Sequence, residues 1–232
     1  MDGLALHIPT ALGSADGEGR VDISVTPAVA GVLTAWDGDQ QLKALHESAH
    51  TVVATVLGLG VSTAEIKSRH GGHTSFDSGD DDRPTFVRAS VHMNRIVVLL
   101  AGAAAERLIL GEPTTGNSHD VFVATNMAVE RFSEGMDGDA PAGGLSLEVF
   151  SRAPESLREV QGASVLRTLT AARDHADAVV AEHRDQIIGL ARILYKARRL
   201  SDGDLDAALR AVGLEPKRTA SGSEGSLDDI PR

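Results

Sequence analysis

A chain of 232 residues with 42% hydrophobic content is long enough to bury one substantial core and short for more than one or two domains. The aromatic share is only 3%, so the core must be built from Leu, Val, Ile and Ala, and the formal net charge of −11 excludes an electrostatic grip on nucleic acid. No cysteine is present, which removes disulfides, thiolate metal sites and cysteine nucleophiles and leaves His and carboxylates to bind any metal.

Residues 1–38 mix Gly, Asp, Thr and Pro around one alternating run, Val21 to Val25, that reads as an edge strand. The N-terminus has neither the basic start nor the apolar stretch of a secretory signal, and no run of about 18 uncharged apolar residues occurs anywhere, so a soluble, cytoplasmic chain without a membrane span is expected. From Asp39, apolar Leu42, Leu45, Ala49, Val52, Val53 and Val56 recur at steps of three and four, which predicts a helix that Gly58 and Gly60 stop. Ala64 to Lys67 and Gly72 to Phe76 read as two short strands, followed by an acidic loop over 77–82.

Pro84 stands where a first-turn proline belongs, and a long apolar helix is expected to run to Leu110 before Gly111, with Gly102 marking a close helix contact. After EPTTGN, Asn117 or Ser118 caps a helix whose inward stripe is read as Val121, Ala124, Ala128 and Phe132, ending near Gly135. Glu155 to Arg199 reads as one broken or two consecutive helices carrying Leu166, Leu169, Ala178, Val179, Ile187, Leu190 and Leu194. Ser201 and Asp204 have capping-box spacing for a last short helix. The sum is a mainly α protein with a small β-sheet (α+β): an extension over 1–38, one domain over 39–215, and a polar tail over 216–232 that reads as disordered.

Within the first helix lies His46-Glu47-Ser48-Ala49-His50, an HExxH motif. A four-residue step is about one helical turn, so both imidazoles leave the same face and can share one metal ion. Glu47, one residue on, can reach water at that metal without ligating it, as the general base of a hydrolase should. A chance HExxH would ordinarily lie on a solvated face, whereas this one borders the apolar stripe of Leu42, Leu45, Ala49 and Val53. The extended HExxHxxGxxH form is excluded, because Val53 and Val56 occupy the Gly and third-His positions. The residues alone leave the third ligand open among Glu65, Glu106, His119 and Asp120.

The segments ALHESAH, GGHT and LLAGAAAERLILGEPTTGNSHDVFVATNMA, in this order and spacing, resemble the peptidase domain of the FtsH family of ATP-dependent zinc proteases, and the likeness extends more weakly to LSDGDLDAAL. The resemblance implies a zincin-like fold, a zinc cofactor and a polypeptide substrate. It implies Asp120, 70 positions after His50 and following a TTGxSxD-like turn, as the third ligand, with His119 as runner-up. A carboxylate in the first turn of its helix suits that role, since the positive end of the helix dipole keeps it ionised. Glu106 matches a family Glu, either orienting a ligating imidazole or making an interhelical ion pair. Gly72 to Phe76 matches a strand that pairs with extended substrate, while His70 and His73 beside it are expected to be exposed rather than metal-binding.

The family joins this peptidase to membrane helices and an ATPase module, but these residues hold no GxxxxGK[ST] phosphate loop, so a separate unfoldase is the expected source of any ATP-driven step. Ala103 replaces an Arg of the family and Glu134-Gly135-Met136 lacks its Trp, which weakens the expectation of a ring-shaped homo-oligomer. The leading expectation is an endopeptidase acting on unfolded or flexible polypeptides. The alternatives are a non-catalytic regulatory or scaffold protein retaining the fold, and an HExxH protease that cleaves one regulatory partner.

Overall fold

The computed structural model describes residues 38–67, 72–76, 87–137, 152 and 154–217. The Val21 to Val25 strand, His70, the acidic loop, Pro84 and the polar tail beyond residue 217 lie outside them. Helix α1 (Asp39–Val56) comes first, then strands β1 (Val61–Ile66) and β2 (Gly72–Phe76), then helix α2 (Ala89–Ala105). A π-turn (Glu106–Leu110) and a short 3-10 turn (Thr115–Asn117) lead into α3 (Ser118–Ser133). Helices α4 (Glu155–Glu182) and α5 (Arg184–Ala197), strand β3 (Arg199–Ser201) and helix α6 (Asp202–Ala211) complete the described order.

Helix α1 is the axle of the fold. Gly38 begins it by donating its N–H to the Gln41 side chain, Asp39 pairs with Lys43 at 2.6 Å on its first turn, and Gly58 at φ 80° ends it in the left-handed region. Every residue from Ala44 to Thr55 is buried, because α2 and α5 and the sheet surround the helix. A helix buried on all sides must also bury its polar residues, and that is how His46, Glu47 and His50 leave bulk water.

The sheet is antiparallel in the order β2-β1-β3. Strand β1 starts at Val61, three residues before its expected beginning, and buries Val61, Ala64 and Ile66 against α1. Strand β2 has the bounds read from the sequence and pairs Thr74 with Ala64 and His73 with Glu65. Strand β3 was not anticipated: three residues carry too little alternation to register, and the strand is entered through Arg198 at φ 66° and left through Asp202 at φ 48°.

Helix α2 packs on α1, α3 and α4, and α3 on α2 and α4. On α3 the inward residues are Ala124, Ala128, Val129 and Phe132, whereas Val121, expected inside, is 45% exposed. On α4, Leu166 and Ala178 face outward, and the buried stripe is Gln161, Ser164, Thr168, Ala172, Ala176, Val179 and Val180. Among the described residues no helix is long and apolar enough to cross a membrane.

Candidate metal centre

The one-turn step within α1 brings the His46 and His50 rings edge to face, 4.6 Å apart between centroids, with their Nε2 atoms 2.9 Å from each other. Asp120, on the first turn of α3, completes a triangle: its Oδ2 is 3.0 Å from His46 Nε2 and 3.4 Å from His50 Nε2. Ligands about 2.0–2.1 Å from a tetrahedral zinc are separated by roughly 3.3 Å, so the three edges have the size of one face of such a site. Among the described residues this trio is the group able to hold a metal ion. His119 beside it is exposed, and Glu65 sits in the middle strand opposite His73 and Arg199, so neither joins it.

The far side of each ring sets what the near side presents. His50 Nδ1 donates to the Val98 carbonyl oxygen at 2.7 Å, and His46 Nδ1 donates to Glu106 Oε1 at 2.9 Å. Because a carbonyl can only accept, and an ionised carboxylate likewise, both Nδ1 atoms carry the proton and both Nε2 atoms offer lone pairs. Two lone pairs and a carboxylate oxygen meeting in a buried space call for a cation. In the metal-free protein a proton takes that place: burial opposes the charged ring of His46, but hydrogen bonds to Asp120 and Glu106 outweigh it and push its pKa up to about 10. Burial likewise opposes the Asp120 carboxylate, yet the two imidazoles hold its pKa well below the usual carboxylate range.

Glu106 is 1% exposed and fully engaged. The π-turn at the end of α2 aims its Oε1 at His46, while Oε2 accepts from the Thr114 N–H at 2.5 Å and from Asn117 Nδ2 at 2.6 Å. Burial raises the pKa of this carboxyl, but the three donors prevail and lower it, so it remains an acceptor for His46. Asn117, expected to cap α3, makes no side-chain cap and gives its amide to Glu106 instead. Opposite, an added Cβ on Gly102 would lie 2.3 Å from Cε1 and 2.6 Å from Nε2 of His46, so this glycine is what lets the ring lie against α2.

Glu47 is 5% exposed and belongs to neither imidazole hydrogen-bond chain. Its Oε2 accepts from Thr74 Oγ1 on β2 at 2.7 Å, a partner that sequence reasoning did not assign. The GGHT segment pointed to the strand, and only the packing of β2 on α1 shows which of its residues reaches the base. His73, next to it, is exposed, as expected.

Residues 34–207 match the model of peptidase family M41. The chain belongs to that family. It is similar to the ATP-dependent zinc metalloprotease FtsH of Rhodococcus erythropolis, 29% identical over 78% of this chain, and to the ATP-dependent zinc metalloprotease FtsH 1 of Symbiobacterium thermophilum, 34% identical over 81%. It spans 23% and 32% of the lengths of those two curated relatives. The M41 match encloses the elements from α1 to α3 that carry the candidate ligands.

Proposed function

We propose that this chain is a zinc-dependent endopeptidase that hydrolyses peptide bonds of unfolded or flexible polypeptides, with residues 39–215 as its catalytic unit. His46, His50 and Asp120 are the proposed zinc ligands and Glu47 the general base. The observation that carries this reading is the meeting of two imidazole Nε2 atoms and a carboxylate oxygen within 3.4 Å of one another beside a buried carboxylate that ligates nothing. A structural zinc site needs four protein ligands and no base, so the arrangement favours catalysis over a scaffold role.

A zinc ion held by this trio supplies Lewis-acid polarisation of the peptide carbonyl and acidifies water at the open position. The protein's own groups do the rest. Glu47 takes the proton from the attacking water at its carboxylate and returns it to the departing amine nitrogen. Glu106 and the Val98 carbonyl keep both rings in the tautomer that offers Nε2.

Strand β2 is bonded on one side, to β1, and its other edge is free among the described residues to pair with an extended chain. Such an edge takes a segment in extended conformation, which unfolded or flexible polypeptides readily supply. The curated relatives are named as ATP-dependent, and we propose that an unfoldase, on the same polypeptide or a separate one, presents such segments, with homo-oligomerisation and a cytoplasmic setting part of the same proposal.

Metal content and hydrolysis of an unfolded protein test this directly. Wild type and Glu47→Gln should each hold about one zinc per chain, while Glu47→Gln loses about 100-fold or more of turnover. Asp120→Ala should lose the metal. Full activity in Glu47→Gln, or tight zinc retained by Asp120→Ala and lost by Glu106→Ala, overturns the assignment.

A further inference from the structure

We infer that Thr74 is a positioning residue for the base: its hydroxyl fixes the Glu47 carboxylate and ties it to the strand whose edge faces substrate. The inference rests on the proposed role of Glu47. A glutamate side chain has three rotatable bonds, and one that ligates nothing needs something to hold it for proton transfer. Thr74 Oγ1 is 2.7 Å from Glu47 Oε2 and 3.3 Å from the Glu47 backbone oxygen. A hydroxyl has one proton to give, and the shorter approach, to the charged acceptor, takes it. The Glu47 backbone oxygen does not depend on it, since Thr51 Oγ1 donates there at 2.8 Å.

The donor is delivered from a firm support. Thr74 sits mid-strand in β2, paired with Ala64 of the buried strand β1, and as a β-branched residue it has few rotamers to choose from. The strand that would pair with a bound polypeptide therefore also carries the group that aims the base, so the position of the substrate backbone and that of the proton acceptor are set by one element. Thr74 itself contacts no proposed metal ligand among the hydrogen bonds of the described residues, which separates its effect from metal binding.

Two measurements test this. In a peptidase assay, Thr74→Val, which keeps shape and strand preference but has no hydroxyl, should lower kcat about 10- to 100-fold while KM and zinc content stay within about twofold, and Thr74→Ser should recover most of kcat. In metal-free protein, a cycle of Thr74→Val, Glu47→Ala and the double variant, followed by urea unfolding, should be non-additive by about fivefold in the unfolding equilibrium constant. An additive cycle overturns the proposal whether or not the wild type is active. So does unchanged kcat in Thr74→Val, or a Thr74→Ser variant as poor as the Val one. A wild type that cleaves nothing would instead sink the peptidase reading, with the cycle still deciding whether Thr74 holds Glu47.

Discussion

Glu106 places three donors on two oxygens: His46 on one, Thr114 and Asn117 on the other. Glutamine has the same shape but a single acceptor oxygen, so in Glu106→Gln its amide NH2 must face either the His46 Nδ1 proton or the Thr114 and Asn117 donors. The first orientation drives the proton to Nε2 and removes a ligand lone pair, and the second leaves buried donors unpaired at about 1–3 kcal/mol. Zinc affinity measured by chelator competition should therefore fall about 10- to 100-fold, and wild-type affinity would reduce Glu106 to an interhelical contact. A second buried group acts on stability instead. His92 on α2 is buried, with no partner on Nδ1 among the described residues; burial first, and then the Arg131 charge, lower its pKa, against opposing pulls from Glu130 and Glu134 and with Arg95 adding to the lowering. The unfolded ring titrates near 6.5, so between that value and the lower native one the unfolded chain holds more protons, and stability rises with pH and falls on acidification. His92→Gln should flatten that slope by up to about 1.4 kcal/mol per pH unit in urea melts from about pH 7.5 to 5.5, and an unchanged slope contradicts a neutral native His92.

Where α1 crosses α2, two effects of a single methyl group oppose one another. Helix propensity favours Gly102→Ala by about 1 kcal/mol, but overpacking typically costs about 1–3 kcal/mol, and here the new Cβ would meet the His46 ring at 2.3 Å. The ring cannot retreat, because Glu106 and Asp120 hold its two nitrogens. Overpacking should win: the variant should lose both stability in urea and zinc affinity, and a stabilised protein with full zinc binding would show that the helices simply part. Periodicity revealed the α1 stripe and the break between α4 and α5, and a glycine within a helix revealed the close contact at Gly102, since these are written locally. Periodicity misjudged α3 and α4 for a physical reason. The inward face of α4 is largely small or polar, Gln161, Ser164, Thr168, Ala172 and Ala176, as suits a close approach to α2, whereas Leu166 points outward at 67% exposure. A hydropathy stripe cannot register a face chosen for smallness. The spacing of HExxH placed His46 and His50 together, but the approach of Asp120 came from the resemblance, and the hydroxyl of Thr74 and the carbonyl of Val98 belong to tertiary contacts that no local pattern encodes.

The three donors bind together parts of the molecule with unequal support. Helix α1 is buried from Ala44 to Thr55, so its order does not depend on a metal. Helix α3 rests on α2 and α4 through Ala124, Ala128, Val129 and Phe132, all beyond its first turn, while Val121 and Phe122 near its start are 45% and 63% exposed. Asp120 is thus the direct hydrogen-bonded link from the first turn of α3 to the core helix, beside the indirect one that Asn117 makes through Glu106. With metal at about 100 times its Kd, binding to the native state adds about 2.7 kcal/mol, and the regions that open locally should report most of it. In the metal-free protein the like-facing lone pairs must share a proton, a weaker tie than a divalent cation. Hydrogen exchange should therefore show residues 118–124 losing protection on chelation, while 44–55 change little. Equal loss in both segments would mean that the metal holds the whole core together, and no loss in either would mean that Asp120 does not depend on it for its place.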